Sequence, residues 1–224
     1  MGAKDDLAHA AARGTLSMVP FVGGPLAEAY NLLFAAPNER RQAAAIEEML
    51  DAIVVLQEAV EGLSLEKLSE DESFISTLHR ATRAMAATHQ DAKRDALRNA
   101  VLNVALGVAP DEDQVSIFID AIEALTPSHL RLLAFLDDPD AWFRDGSLVR
   151  PNLTMGGLSY ILEAAIPELA GRRQFYDQLG KDLHDRGYTS INGFHTTTSG
   201  NSLYVRRTSE VGHQFLSFIS QPAG

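Results

Sequence analysis

The chain has no cysteine at all. That absence excludes a disulfide scaffold, a thiolate nucleophile and any Cys-based zinc or iron–sulfur site. Positive charge is also scarce, with 19 Lys and Arg against 30 Asp and Glu and a formal net charge of -11. A field of that sign repels nucleic acid at long range, so indiscriminate coating of DNA is excluded. A long unbroken apolar run is missing too. The least polar window, residues 15–36, carries one formal charge at Glu28 and is interrupted by Pro20, Gly23, Gly24 and Pro25. Its length approaches a membrane span, but the breaks favour a buried hairpin or kinked helix. No secretory leader is expected, because Asp5 and Asp6 outweigh Lys4 ahead of that window. Catalytic signatures are equally absent: there is no HExxH, no GxGxxG, no phosphate loop and no GxSxG elbow.

What remains is a chain of 224 residues with 46% hydrophobic content, enough to bury a core. The acidity is uneven. Residues 1–124 hold 10 basic and 20 acidic side chains, whereas residues 125–224 hold 9 and 10. Texture changes at the same place: the first part is rich in Ala, Glu and Leu, and the second holds most of the Gly, Thr, Ser and Tyr. A division at Leu125-Thr126-Pro127, into parts 1–124 and 125–224, is therefore expected.

The first part reads as an antiparallel helical bundle. From Asn38, Ile46, Met49, Leu50, Ile53 and Val60 recur at helical spacing, and Gly62 marks the end. Ser69 with Glu72 three positions on suggests a capping box for a second helix, striped by Phe74, Leu78, Ala81 and Met85. A third carries Leu97, Val101 and Val104, ending near Gly107, and Pro110-Asp111 opens a fourth with Val115, Phe118, Ile119 and Ile122. The gaps between helices are short, which favours antiparallel neighbours.

In the second part, Pro127 begins a helix with Leu130, Leu133 and Leu136 on its apolar face. A loop over 137–157 follows, carrying the only tryptophan, Trp142. Two more helices are expected, one with Leu158, Ile161, Leu162 and Ile166, the next from about Arg172 to Arg186 with Gly187 at its end. Tyr188–Thr198 and Leu203–Arg207 read as extended arms around the turn cluster Ser199–Ser202, that is, a small β-hairpin. Thr208-Ser209-Glu210 then caps a last helix containing Val211, Phe215, Phe218 and Ile219. The fold class expected is mainly α: an N-terminal helical bundle followed by a winged-helix-like domain.

The words LTPSHLRLLAFL, KDLHDRGY and RRTSEVGHQFL carry a resemblance to the MarR-like winged-helix family over residues 125–220. The resemblance implies that the third helix of the domain faces a major groove and that the wing touches backbone. Carried over by position, the DNA-binding candidates are Arg172, Arg173, Gln174 and Lys181, with Arg206 and Arg207 at the end of the second arm. Asp177, Asp182 and Asp185 share that helix, and the turn 199–202 has no cation. A phosphate-tracking surface needs clustered cations, so the dilution favours protein contact. Over the whole chain, SMVPFVGGPLAEAYNLL, NERR, ALRNAVLN and TPSHLRLLAFL resemble bacterial helical proteins with a C-terminal winged helix, some in phage-defence loci. That likeness implies a bacterial cytoplasmic protein and no particular activity.

No cofactor or metal is expected. Asp137, Asp138, Asp140 and Asp145 form an acidic loop, but Trp142 and Phe143 stand where a calcium loop needs oxygen ligands. His184 between Asp182 and Asp185 is a structural histidine on a helix, since adjacent helical residues do not face one another. Three functional expectations result. The first is a non-catalytic interaction or regulatory protein that self-associates or binds a protein partner. The second is a winged-helix regulator reading DNA through residues 172–207. The third is a membrane-active effector that exposes Phe21, Leu26, Leu32, Leu33 and Phe34.

Overall fold

The computed structural model describes residues 36–144 and 146–222. The described residues are mainly helical, with nine α-helices and one small antiparallel sheet of two strands. Helix α1 spans Ala36–Ala59, and its residues from Ala45 onward belong to the compact unit Ala45–Gly224. All packing described below lies within that unit.

A short helix α2, Leu65–Glu70, leads straight into α3, Glu72–Ala87. The capping box expected at Ser69 is not there. Ser69 is itself helical, and its hydroxyl donates back to the Glu66 carbonyl at 2.7 Å. The cap of α3 is Asp71, whose carboxylate accepts from the Phe74 N–H at 3.0 Å. A carboxylate at that point also suits the positive end of the helix dipole. Helix α4 runs over Asp91–Ala105 and ends at Gly107, which takes a φ of +69° open to glycine. Helix α5, Glu112–Ala124, starts at Asp111, which accepts from the Gln114 N–H at 3.0 Å.

Helices α3 and α4 form the broadest helix–helix contact, and α5 packs on both. The expected stripes of α3 and α5 face inward: Phe74, Ala81, Met85, Val115, Phe118, Ile119 and Ile122 are all buried. On α1 the expected stripe splits. Met49 and Ile53 are buried with Ala45, whereas Ile46 and Leu50 point to the outside. Periodicity alone could not separate these adjacent faces, because both are apolar.

Helix α6 spans Pro127–Asp137, α7 Leu158–Ala165, α8 Arg173–Asp185 and α9 Glu210–Ile219. Helix α8 lies against α6, and α9 lies against both α6 and α4. The α4–α9 junction is a polar lock within an apolar seam. Asn103, buried on α4, donates from Nδ2 to the carbonyls of Phe218 at 2.8 Å and Ser220 at 3.0 Å. Asn99, one turn earlier, donates to the Ile219 carbonyl at 2.9 Å. The last carbonyls of a helix lack intrahelical donors, and these two amides supply them. Beside them, Phe118 meets Phe215 edge-on at 5.2 Å, and Tyr188 stacks on Phe215 at 4.9 Å. Residues on both sides of Leu125 thus contribute to one continuous apolar cluster.

The expected hairpin around Ser199–Ser202 is corrected. Strand β2, Thr198–Ser199, pairs antiparallel with β1, Met155–Gly156, and not with residues 203–207. Gly200–Tyr204 forms a 3-10 turn instead of a reverse turn between two arms. The two arms meet at a single bridge between Thr189 and Thr208, beside which the Ser190 N–H and hydroxyl donate to the Arg207 carbonyl at 2.8 and 3.0 Å. Gly200 explains the change. Its N–H donates to the Thr154 carbonyl at 2.9 Å, and a Cβ there would lie 1.9 Å from the Leu153 carbonyl oxygen. The backbones at 153–154 and 200 approach so closely that the turn residues are drawn to the loop before α7. That partner lies far away in the chain and leaves no local signal.

The loop between α6 and α7 is tied down by cations. Arg144 pairs with Asp138 at 2.6 Å and Arg150 with Asp140 at 2.5 Å. Asp138 also accepts from the Ala141 N–H at 3.0 Å, opening the 3-10 turn Ala141–Phe143. The guanidinium of Arg150 lies over the Tyr204 ring at 4.0 Å, and the Tyr204 hydroxyl donates to the Pro151 carbonyl at 2.9 Å.

Candidate nucleic-acid interface and partner surfaces

Helix α8 displays an exposed face made of Arg172, Arg173, Gln174, Lys181 and the acids between them. It forms because Tyr176, Leu179 and Leu183 recur at three- and four-residue steps and bury the other side. Gly180 is required in this inner face, since a Cβ there would stand 2.4 Å from the Phe194 ring. The Tyr176 hydroxyl donates to Glu163 on α7 at 3.0 Å. Burial, helped by that carboxylate, pushes its pKa up to about 12, so the hydroxyl stays a donor.

Two cations on the outer face are matched by carboxylates within the chain. Arg173 pairs with Asp177 at 3.5 Å, and Lys181 pairs with Asp185, both one turn apart. Hydrogen bonding to Asp185 raises the pKa of the Lys181 ammonium. Arg172 lies over the Phe175 ring at 4.2 Å, with a weak bond to the Glu168 carbonyl at 3.5 Å. Gln174 is exposed beside them. Asp177 is engaged twice, because His195 Nε2 lies 2.9 Å from its Oδ1.

Arg206 and Arg207 do not join this face through a hairpin arm. Arg206 stands 3.3 Å from Asp137 and 3.7 Å from Glu210, and its Nε donates to the Thr208 hydroxyl at 2.9 Å. Arg207 donates to the Ser202 carbonyl at 2.5 Å, and its own N–H donates to the Leu136 carbonyl at 2.7 Å. Both hold the junction between α6 and the start of α9.

Two polar clusters were invisible to sequence reasoning. In the first, the Asp137 carboxylate accepts from the Thr208 hydroxyl at 2.5 Å and lies 3.0 Å from His213 Nδ1. It borders an open cavity of about 700 Å³ whose wall includes Asn103, Pro110, Leu216 and Phe218. The second cluster is at the head of α6. His129 Nδ1 receives the Thr126 N–H at 3.1 Å and faces the Thr126 hydroxyl at 2.8 Å, while Nε2 lies 3.3 Å from Asp182. With a backbone donor aimed at Nδ1, the proton belongs on Nε2. Burial pushes the His129 pKa down, against the opposing pull of Asp182, so the neutral ring that the cap requires is favoured. Asp137 is 76 residues from His213 and His129 is 53 from Asp182, which is why no spacing motif could reveal either pair.

Among the described residues no group of three or more His, Asp and Glu side chains is placed to hold a metal ion. No described helix is long and apolar enough to cross a membrane. Phe21, Leu26, Leu32, Leu33 and Phe34, and with them the window up to residue 35, lie outside the described residues. Comparison of the chain with family models, curated proteins and solved structures returned no match.

Proposed function

We propose that this chain is a non-catalytic interaction protein, with residues 127–219 forming a winged-helix-like module used for protein contact. The element order supports the winged-helix reading: α6, the short strand β1, α7, α8, the bridge at Thr189 and Thr208, and α9. The observation that carries the functional reading is the pairing of cations on the outer face of α8. Arg173 and Lys181 each meet a carboxylate one turn on, and Arg206 meets two. A phosphate backbone is held by cations free to neutralise it and to release its counterions. For Arg173, Lys181 and Arg206 the neutralising charge is already supplied from within the chain, in a protein of net charge -11.

The test is titration of a labelled duplex at low salt, about 50 mM, where phosphate contacts are strongest. No saturable binding is expected. Salt-sensitive binding that falls on replacing Arg172, Arg173 and Lys181 with alanine would establish the DNA-reading alternative in its place.

A further inference from the structure

The link between α4 and α5 and the outer side of α9 line the same open cavity of about 700 Å³, which Asp137 borders. Sites for small molecules fall in the range of about 300–1,000 Å³, so the space suits a ligand larger than water. Its walls differ in chemistry. Leu106, Val108 and Pro110 make one apolar, whereas His213, Gln214 and Ser217 of α9 make the other polar. Asn103 also lines the cavity, but its amide is already spent on the carbonyls of Phe218 and Ser220. Asp137 and His213 are the ionisable groups there, and among the described residues no lysine or arginine lines it.

The bonds already made at Asp137 and His213 leave acceptors for a ligand. Oδ1 of Asp137 meets the Thr208 hydroxyl, His213 Nδ1 and Arg206 Nε, whereas Oδ2 meets only His213 Nδ1, at 3.1 Å. A carboxylate oxygen accepts two bonds, so Oδ2 keeps room for one more. Because a carboxylate only accepts, the ring proton belongs on Nδ1. Nε2 of the neutral imidazole then presents a lone pair, with no hydrogen-bond partner among the described residues. Charge points the same way. Asp137 and the exposed Glu210 share one guanidinium, that of Arg206, at 3.3 and 3.7 Å, which leaves one negative charge in surplus. Paired acceptors beside surplus negative charge fit a cationic group bearing several N–H donors. We propose that the cavity binds a small organic cation, an ammonium or amidinium carried on an apolar body. Its N–H groups donate to Asp137 Oδ2 and His213 Nε2, and its apolar part lies against Leu106, Val108 and Pro110. This site does not depend on the interaction-protein reading and adds a small-molecule ligand to it.

Benzamidine, benzyl alcohol and benzoate share one ring and differ in charge, and each is titrated into the full-length protein while amide shifts are followed by two-dimensional NMR. Benzamidine is expected to give saturable shifts centred on residues 106–110 and 213–217, with a dissociation constant on the order of 1 mM. Benzyl alcohol is expected to bind at least about tenfold more weakly, and benzoate to give no saturable shift. Asp137→Asn, which keeps the shape but removes the charge, is expected to weaken benzamidine at least about tenfold. Asp137 also holds Thr208 and Arg206, so a second variant spares that network. Val108 is exposed on the link, and Val108→Arg places a long cation at the apolar wall without touching the core. It is expected to abolish the benzamidine shifts with an unchanged far-ultraviolet circular dichroism spectrum. Benzoate binding as tightly as benzamidine would overturn the proposal, as would benzamidine shifts centred elsewhere or no saturable shift at all. Benzamidine binding indifferent to Val108→Arg would do the same.

Discussion

Helices α1 and α8 are both amphipathic, yet they face the outside in opposite ways. Helix α8 closes its surface chemistry within the chain: Arg173 to Asp177, Lys181 to Asp185, Gln178 to Asp182 and Asp182 toward His129. Helix α1 spends one charged group inward, with Glu48 pairing Arg94 and Arg98 on α4, and leaves an apolar row outside. Two of the cations at the position that a winged helix would use for recognition are thus already paired, whereas the first helix exposes apolar side chains. Exposure of charge is a poor guide to binding when each charge has a partner one turn away.

The largest expected effect comes from breaking the platform that holds α8. Gly212 on α9 sits against Tyr188, where a Cβ would be 2.0 Å from the Tyr188 carbonyl oxygen. Backbone cannot yield as a flexible side chain can, so Gly212→Ala is expected to cost about 3 kcal/mol or more. Urea unfolding measures it, and a loss under about 1 kcal/mol would show that the junction relaxes freely.

Next in size is the α4–α9 lock. Asn103→Ala strands helix-end carbonyls in a buried seam, which costs about 1–3 kcal/mol. Asn103→Leu, which keeps volume but offers no donor, should be no better. Recovery of stability in the leucine variant would mean that packing, not the amide, makes the junction.

A third effect depends on pH. The pKa of His129 is lowered in the fold from its ordinary 6.5, mainly by burial, so the unfolded chain takes up the proton first. Its contribution is complete above pH about 6.5 and declines as pH falls from there toward the lowered folded value. His129→Gln should therefore lose stability at pH 7.5, and its deficit against wild type should shrink at pH 5.5. A deficit that grows toward acid pH would contradict the neutral capping ring.

The smallest changes are expected on the two outer faces themselves. Lys181→Ala breaks an exposed pair, and exposed pairs contribute little, so the thermal midpoint should stay within experimental error of wild type. Leu50→Ser should likewise leave the midpoint unchanged, since the side chain is half exposed. A marked drop for Leu50→Ser would place that residue in the fold's own interior and erase the contrast with α8.

Much of the helical plan was legible. Asp111 before Val115, Pro127 before Leu130 and Gly187 after Leu183 mark helix ends by local chemistry, and the structure uses each of them. The faces of α3 and α5 were readable because their apolar residues stand at one angular position. Helix α1 was harder. Its apolar residues span two adjacent faces, and only the neighbours decide which one is buried. Ser69 illustrates the same limit at a cap: two good capping residues stand two positions apart, and the short helix α2 selects Asp71.

The candidate DNA face was readable as a set of positions but not as a charge pattern. Spacing of four along α8 already places Asp177 near Arg173 and Asp185 near Lys181. Arg206 reaching Asp137, and Asp137 reaching His213, needed α6 and α9 to be packed together first.

The surplus of acid and the spacing of apolar residues were enough to determine a mainly helical chain with an acidic first half. These are properties of composition and of neighbours within one or two turns. The tertiary structure decided which stripe of α1 turns inward, which residues pair with Thr198 and Ser199, and which cations are already spent. Each of those outcomes depends on close approach between segments tens of residues apart, such as Gly200 against Leu153 and Gly212 against Tyr188. Local propensity has no knowledge of such approaches; they exist only once the helices have packed.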